Sequence, residues 1–295
     1  MAKPASPYHR KDSGIELDDR YEKASFLTLP AEIRTQIWCL VFNPEQSYKD
    51  VFSCPRCTDD ALSALQEDYW ASTYLQPLLT CRQFYQDAHL LAFSRTTFVI
   101  RNPYTVLDIA GRINSTLRPD QISSLRSIAI ISEARHFRQM HHWKTHAFGI
   151  PALQLEDMTI ILHRSSYWHY LFDFNVMMTQ MLRDFSGVKK ICFVRNHARV
   201  KPHFHTWFNR FVGAMMRLDR VERFGRKECR AEKTWWNWTY QGNKQTATLI
   251  RVPSKDAGMD IESYDEVMAP MMEWLKKSME IEEYDPDPMS RLGFV

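Results

Sequence analysis

Two kinds of hydrophobic pattern alternate along the chain. In the first, apolar residues recur every three or four positions, which predicts helices with one buried face at about 30–42, 59–70, 74–92, 103–113, 168–186, 204–218 and 263–283. In the second, short runs are apolar almost throughout, which predicts strands at 96–100, 126–131, 158–162, 190–195 and 246–252. The runs RSIAII, MTIIL, KICFVR and TATLIRV are rich in β-branched residues, as strands buried on both faces are. Ile128, Ile160 and Ile191 stand 32 and 31 residues apart, with helix-like sequence between the second and third. That period suits strand–helix–strand units, and irregular leucine-rich repeats as well. The predicted fold class is mixed α/β: a helical amino-terminal segment leading into a helix-covered, largely parallel or repeat-like sheet.

The stretch Phe26 to Phe42, FLTLPAEIRTQIWCLVF, is the most distinctive. Pro30 fits the first turn of a helix, where its missing N–H is not needed. Glu32 then meets the positive end of the helix dipole. Ile33, Ile37, Leu40 and Val41 form an apolar stripe, and Leu27 and Leu29 form a hydrophobic lead-in. Such a stripe docks either on the rest of its own domain or on another protein.

Leu29, Pro30, Glu32, Ile33 and Arg34, followed later by Leu78, Leu79, Cys81, Arg82, Tyr85 and Ala88, resemble a fungal F-box-like group, the two-E-x-R type and its relatives. The second E-x-R is missing, because the corresponding place reads Cys81-Arg82-Gln83. The resemblance covers roughly the first third of the chain. It implies F-box-like helices at 26–93; the strand and helix pattern puts an α/β platform at 94–295 within one domain spanning 25–295, and residues 1–24 read as a flexible polar tail. The resemblance also implies that Leu29, Pro30, Ile33 and Ile37 face a Skp-type adaptor of a cullin ubiquitin ligase; Leu27 and Val41, on the same stripe and lead-in, are further candidate partner contacts, and the platform is expected to recognise another protein. The alternative is that the stripe packs on helix 74–92 and the sheet. Asn43 to Thr58 reads as an inserted loop.

Composition narrows the functional classes. With 44% hydrophobic and 13% aromatic residues in 295, the chain can bury a sizeable core. No apolar run approaches the ~20 residues of a membrane span. The first twenty residues lack the apolar region of a secretory signal. Six scattered cysteines then point to reduced thiols and a cytoplasmic or nuclear setting. Nine glycines, without G-x-G-x-x-G, G-x-x-x-x-G-K-[ST] or G-x-S-x-G, argue against nucleotide loops and a nucleophile elbow.

The net charge of +3 hides a segregation. Arg195 to Lys233 holds eleven basic residues against four acidic, and Asp256 to Asp287 holds eleven acidic against two basic. The acidic helix is expected to fold back over the basic segment; the alternative is a basic face for nucleic acid.

Candidate chemistry is sparse. Cys54 and Cys57 have the spacing of half a zinc knuckle, and the alternative reading is two free thiols and no cofactor. Arg195, Asn196 and His197 follow a predicted parallel strand, where α/β folds place ligands, and offer an anion-binding or proton-moving group. Trp235, Trp236 and Trp238 beside that basic segment suit sheet packing, a protein hot spot or base stacking. The expected function is a non-catalytic protein-interaction module. An enzyme or ligand-binding protein built on Arg195, Asn196 and His197 is the alternative, and nucleic-acid binding through residues 195–240 is a further one.

Overall fold

The computed structural model describes residues 25–52, 65–101, 108–162, 167–168, 174–200, 203–224, 235–252 and 260–284. The amino-terminal helices are α1 (Ala31–Val41), α2 (Pro44–Phe52), α3 (Ala71–Tyr74) and α4 (Arg82–Arg95). There follow β1 (Thr97–Ile100), α5 (Ile109–Thr116), α6 (Pro119–Ser124), β2 (Ser127–Ser132), α7 (Ala134–Met140) and β3 (Leu155–Leu162). The carboxyl-terminal half runs β4 (Tyr167–Trp168), α8 (Asn175–Asp184), β5 (Val188–Val194), β6 (Arg199–Val200), α9 (Phe204–Phe224), β7 (Trp235–Gln241), β8 (Thr246–Val252) and α10 (Ile261–Tyr284).

Six strands form one sheet in the order β1-β2-β3-β5-β8-β7. The pairs β1–β2, β2–β3 and β3–β5 are parallel, and β5–β8 and β8–β7 are antiparallel. The mixed α/β class expected from the continuous apolar runs is what the chain adopts. The evenly spaced isoleucines do lie on neighbouring parallel strands. Their register is offset by two: Ile130 pairs with Ile160, which pairs with Phe193. An offset of two keeps side chains on the same face, so the core stays aligned.

Both faces of the sheet are covered. Ile128, Ile130, Met158, Ile160, Ile191 and Phe193 point into the main core, beside apolar residues of α8, α9 and α10. Ala129, Ile131, Ile161, Cys192 and Val194 point the other way, against Phe52 of α2 and Leu65. This two-sided burial is why the strands read as unbroken apolar runs rather than alternating ones.

The segment after Asn43 is not a loop at its start, as expected from sequence, but the helix α2. Asn43 Oδ1 accepts the Glu45 N–H at 3.0 Å, and Pro44 takes the first helical position. Ser47 and Val51 are buried, one turn apart on the inward face. Ser47 Oγ accepts the Thr97 N–H at 3.0 Å, and Tyr69 Oη donates to the Thr97 carbonyl at 2.6 Å. Helix α2 therefore ties the start of β1 to the amino-terminal region. The helix expected at 74–92 is broken, because Cys81 is extended (φ −158°, ψ 166°) and separates a 3₁₀ turn at Gln76–Leu79 from α4. Residues 65–70 of the helix expected at 59–70 are coil and turn, and 59–64 lie outside the described residues.

The charge segregation resolves as helix packing. Helix α10 lies antiparallel along α9: Asn209 Nδ2 donates to Ser278 Oγ at 3.1 Å at one end, and Arg220 binds Asp265 through two hydrogen bonds at 2.9 and 2.7 Å at the other. Between these ends Met268 and Leu275 are buried, as is Tyr264 next to Asp265. A buried ionic network joins α8, α9 and α10. Arg183 Nη1 lies 2.7 Å from Asp219 Oδ1, and Arg223 Nε lies 3.0 Å from Asp219 Oδ2, which also accepts Tyr264 Oη at 2.7 Å. Burial and the Asp219 carboxylate push the Tyr264 phenol up, so it stays a donor.

A candidate interaction surface at the amino-terminal helix

Helix α1 has two apolar faces with different fates. Trp38 and Phe42, one turn apart, are buried against Phe26 and against Phe84 of α4. Ala88 of α4 is fully buried in the same cluster, and its small side chain lets the two helices approach closely. Arg34 completes this face. Its Nε pairs with Asp87 Oδ2 at 2.8 Å, and its Nη1 donates to the carbonyls of Leu29 at 2.8 Å and Leu27 at 3.3 Å. One guanidinium thus pins the lead-in 27–29 onto α1 and α1 onto α4. The two motif-bearing segments of the sequence are brought together here.

The other face is turned to water. Ile33 is 42% exposed, Leu40 80%, Val41 45% and Leu27 46%. Ile37 and Leu29 are half-buried and Pro30 is exposed. On a helical wheel Ile33, Ile37 and Leu40 lie away from the Trp38 and Phe42 side. The stripe singled out in the sequence is therefore largely outside the core, and the helix is anchored by the neighbouring face. Scattered exposed leucines are ordinary; four large apolar side chains within fifteen residues are a patch.

The strand-end group has a different character. Arg195 and Asn196 are buried and hold the structure together. Arg195 Nε donates to the Ala198 carbonyl at 2.9 Å, and its Nη1 donates to Gln245 Oε1 at 3.0 Å, linking the end of β5 to the turn between β7 and β8. Asn196 Oδ1 accepts the Leu65 N–H at 3.0 Å. His197 is exposed, and both Asn196 (φ 43°) and His197 (φ 58°) take the left-handed conformation of a tight turn. The parallel strands run in consecutive order, so the order does not reverse beside β5 to open a crevice.

Trp235 and Trp236 are buried, and Trp236 Nε1 donates to the Leu182 carbonyl at 2.9 Å. This is the sheet packing that the sequence suits; as core residues the two offer no surface to a partner or a base, which corrects the hot-spot and base-stacking readings of Trp235 and Trp236. Trp238 is half-buried and packs edge-on against Trp235. Cys54 and Cys57 lie outside the described residues. Among the described residues no group of three or more His, Cys, Asp or Glu is placed to hold a metal ion, and no helix is long and apolar enough to cross a membrane.

Cys192 is buried in mid-strand, with Thr248 Oγ1 3.7 Å from its sulfur. Burial pushes its thiol pKa up, so the neutral form is preferred. That preference adds stability that is complete below the ordinary thiol value and is lost as pH rises through the native one. At pH 8, iodoacetamide is expected to modify the half-buried Cys39 and Cys81 at least tenfold faster than Cys192, read by peptide mass spectrometry. Equal rates would show that the sheet opens readily at β5.

Sequence reasoning missed the amino-terminal anchor. Trp38 and Phe42 at i and i+4 were the available signal, since large aromatics at that spacing pack on a neighbouring helix. Compared with models of protein families, with curated proteins and with solved structures, the chain has no match.

Proposed function

We propose that the protein is a non-catalytic interaction module that docks a partner through the outer face of α1. The observation that carries this reading is the division of α1 into a buried face, Trp38 and Phe42, and an exposed apolar face around Ile33, Leu40 and Val41. Apolar area covered on association is the driving force, and the helix is already formed and clamped by Arg34, so little ordering entropy is lost. The Leu29-Pro30-x-Glu32-Ile33-Arg34 opening makes a Skp-type adaptor the partner to test first. The protein would then act as a substrate-recognition subunit of a cullin-type ligase, in the cytoplasm or nucleus.

The test is titration of purified chain with purified Skp-type adaptor. The unaltered chain is expected to bind, and Ile33→Asp with Ile37→Asp to weaken binding at least hundredfold, about 3 kcal/mol. Circular dichroism and the melting temperature are expected to stay close to those of the unaltered chain. Leu40→Asp, at the most exposed position of the face, repeats the test if the double variant is insoluble. An unaltered chain that does not bind the adaptor removes the ligase reading. An adaptor that binds all variants equally removes the α1 face.

A further inference from the structure

A cleft of about 390 Å³ opens between α2 and the amino-terminal ends of the parallel strands. Its floor is one in-register row: Thr97, Ser127, Asp157 and Lys190 stand side by side on β1, β2, β3 and β5. Ser127 and Lys190 come two residues before Ala129 and Cys192, so the row faces the α2 side of the sheet. The acidic charge here is largely answered. Asp157 pairs with Lys190, whose Nζ also lies 5.7 Å from the centre of the Tyr48 ring. Glu156 on the rim binds Lys189 at 2.8 Å, and Lys189 first, then Arg126, hold its carboxyl below the usual range. The basic charge is not answered. Lys49 of α2, Arg95 at the end of α4 and Arg126 just before β2 line the cleft, and among the described residues none of them has a carboxylate within ion-pair distance. Arg126 is fixed through one nitrogen alone: Nη1 donates to the carbonyls of Ser123, Leu125 and Gln154 at 2.7, 2.9 and 3.3 Å, which leaves Nε and Nη2 for another acceptor. Thr97 Oγ1 and Ser127 Oγ are 3.1 Å apart, and whichever donates, one O–H of the pair remains to be used.

We propose that this cleft binds a small phosphate ester, with the phosphate among Lys49, Arg95 and Arg126 and the organic part over the row of Thr97, Ser127 and Asp157. Charge selects the head group. The three unpaired cations face one unpaired carboxylate in the lining, the exposed Glu45, and a phosphate monoester brings about two negative charges at neutral pH. Donor geometry selects it too. A phosphate has three terminal oxygens, so guanidiniums arriving from α4 and from β2 each take their own, and the spare hydroxyl of the Thr97–Ser127 pair supplies a neutral donor. Size limits the organic part: the cleft is in the range of small-ligand sites and has room for a monosaccharide or a nucleoside. Asp157, an acceptor held in place by Lys190, stands where hydroxyl groups of that part can donate. Inorganic phosphate fills only the cationic end and should bind more weakly. The cleft lies at the opposite end of the strands from Arg195 and Asn196, and it does not rest on partner docking at the α1 face.

Isothermal titration of the full chain with glucose 6-phosphate, AMP, inorganic phosphate and glucose tests this. At least one of the two esters is expected to bind at least tenfold tighter than inorganic phosphate, and glucose not to bind; the tighter ester identifies the organic part as sugar or nucleoside. Lys49→Gln with Arg95→Gln should weaken that ester at least tenfold while the melting temperature stays close to that of the unaltered chain. Arg126→Gln should weaken it as much, and Arg126→Lys, which keeps the charge and loses the fork, should recover only part. If the Arg126 variants fail to fold, the Lys49 and Arg95 variant decides. Arg217→Gln, on α9 and outside the cleft, should leave ester binding unchanged, as should Ile33→Asp with Ile37→Asp. Failure of both esters to bind, inorganic phosphate binding as tightly as either ester, or ester binding that survives Lys49→Gln with Arg95→Gln overturns the proposal.

Discussion

Asp219→Ala is expected to destabilise the fold by about 3–5 kcal/mol, the usual result of removing one partner of a buried ion pair. Asp219 is 1% exposed, and its two oxygens serve Arg183, Arg223 and Tyr264 from three different helices. Without it, the Arg183 and Arg223 guanidiniums lose the buried carboxylate they share, while Arg183 keeps Glu222, 3.1 Å from its Nε and nearer the surface. For a two-state unfolding chain of this size the melting temperature should fall by about 10 °C. Urea denaturation followed by tryptophan fluorescence measures the loss directly. Asp265→Ala is the control. It breaks a pair with Arg220 of similar geometry on the surface, and should change stability far less, because water and salt screen exposed charges. Replacing Asp219, Arg183 and Arg223 together by leucine and methionines should recover much of the loss, since a well-packed apolar cluster avoids desolvating the charges. A single-variant loss under about 1 kcal/mol would mean that water reaches the network.

Trp38→Ala is the second large effect, about 3–5 kcal/mol for deleting a buried aromatic from a packed cluster. Trp38 touches Phe26, Phe42 and Phe84, so its loss opens the contact between α1 and α4 and not merely one side chain's space. Hydrogen exchange should show α1 amides losing protection before those of β2 and β3, which sit in a separate cluster. Trp38→Phe should be much milder. The indole N–H is buried without a hydrogen-bond partner, and phenylalanine removes that polar group while keeping most of the ring. If α1 and the sheet lose protection together, the amino-terminal helices are not a separable unit.

These effects also mark what could be read in the sequence. The central strands were legible because burial on both faces makes their inner stretches, IAII of β2 and MTIIL of β3, almost wholly apolar. Strand β7 was legible only in that Trp235, Trp236 and Trp238 suit sheet packing; that neighbouring Trp235 and Trp236 are both buried is not something a strand's two-residue period predicts. Helix α2 was missed because its inward face is marked by Ser47 and Val51, a mostly polar signature that depends on the hydrogen bond to Thr97. The α1 stripe was legible as a stripe. Which face is inward depended on Phe84 and Ala88, more than forty residues away, and no local period encodes that choice. The strand-end group misled for a related reason. Arginine, asparagine and histidine in a turn look like chemistry, whereas two of the three instead bond Gln245 and Leu65, which are distant in sequence.

The strand order has a consequence for how the polypeptide is made. On the ribosome, β1, β2, β3 and β5 emerge in the order in which they lie side by side, so each can add to the growing edge as it leaves the exit tunnel. That process stalls at β5, whose outer edge pairs with β8 through Val194 to Thr246 and Lys190 to Ile250. Until residues 246–252 have been translated, β5 presents an unpaired flank of the kind that recruits stray strands.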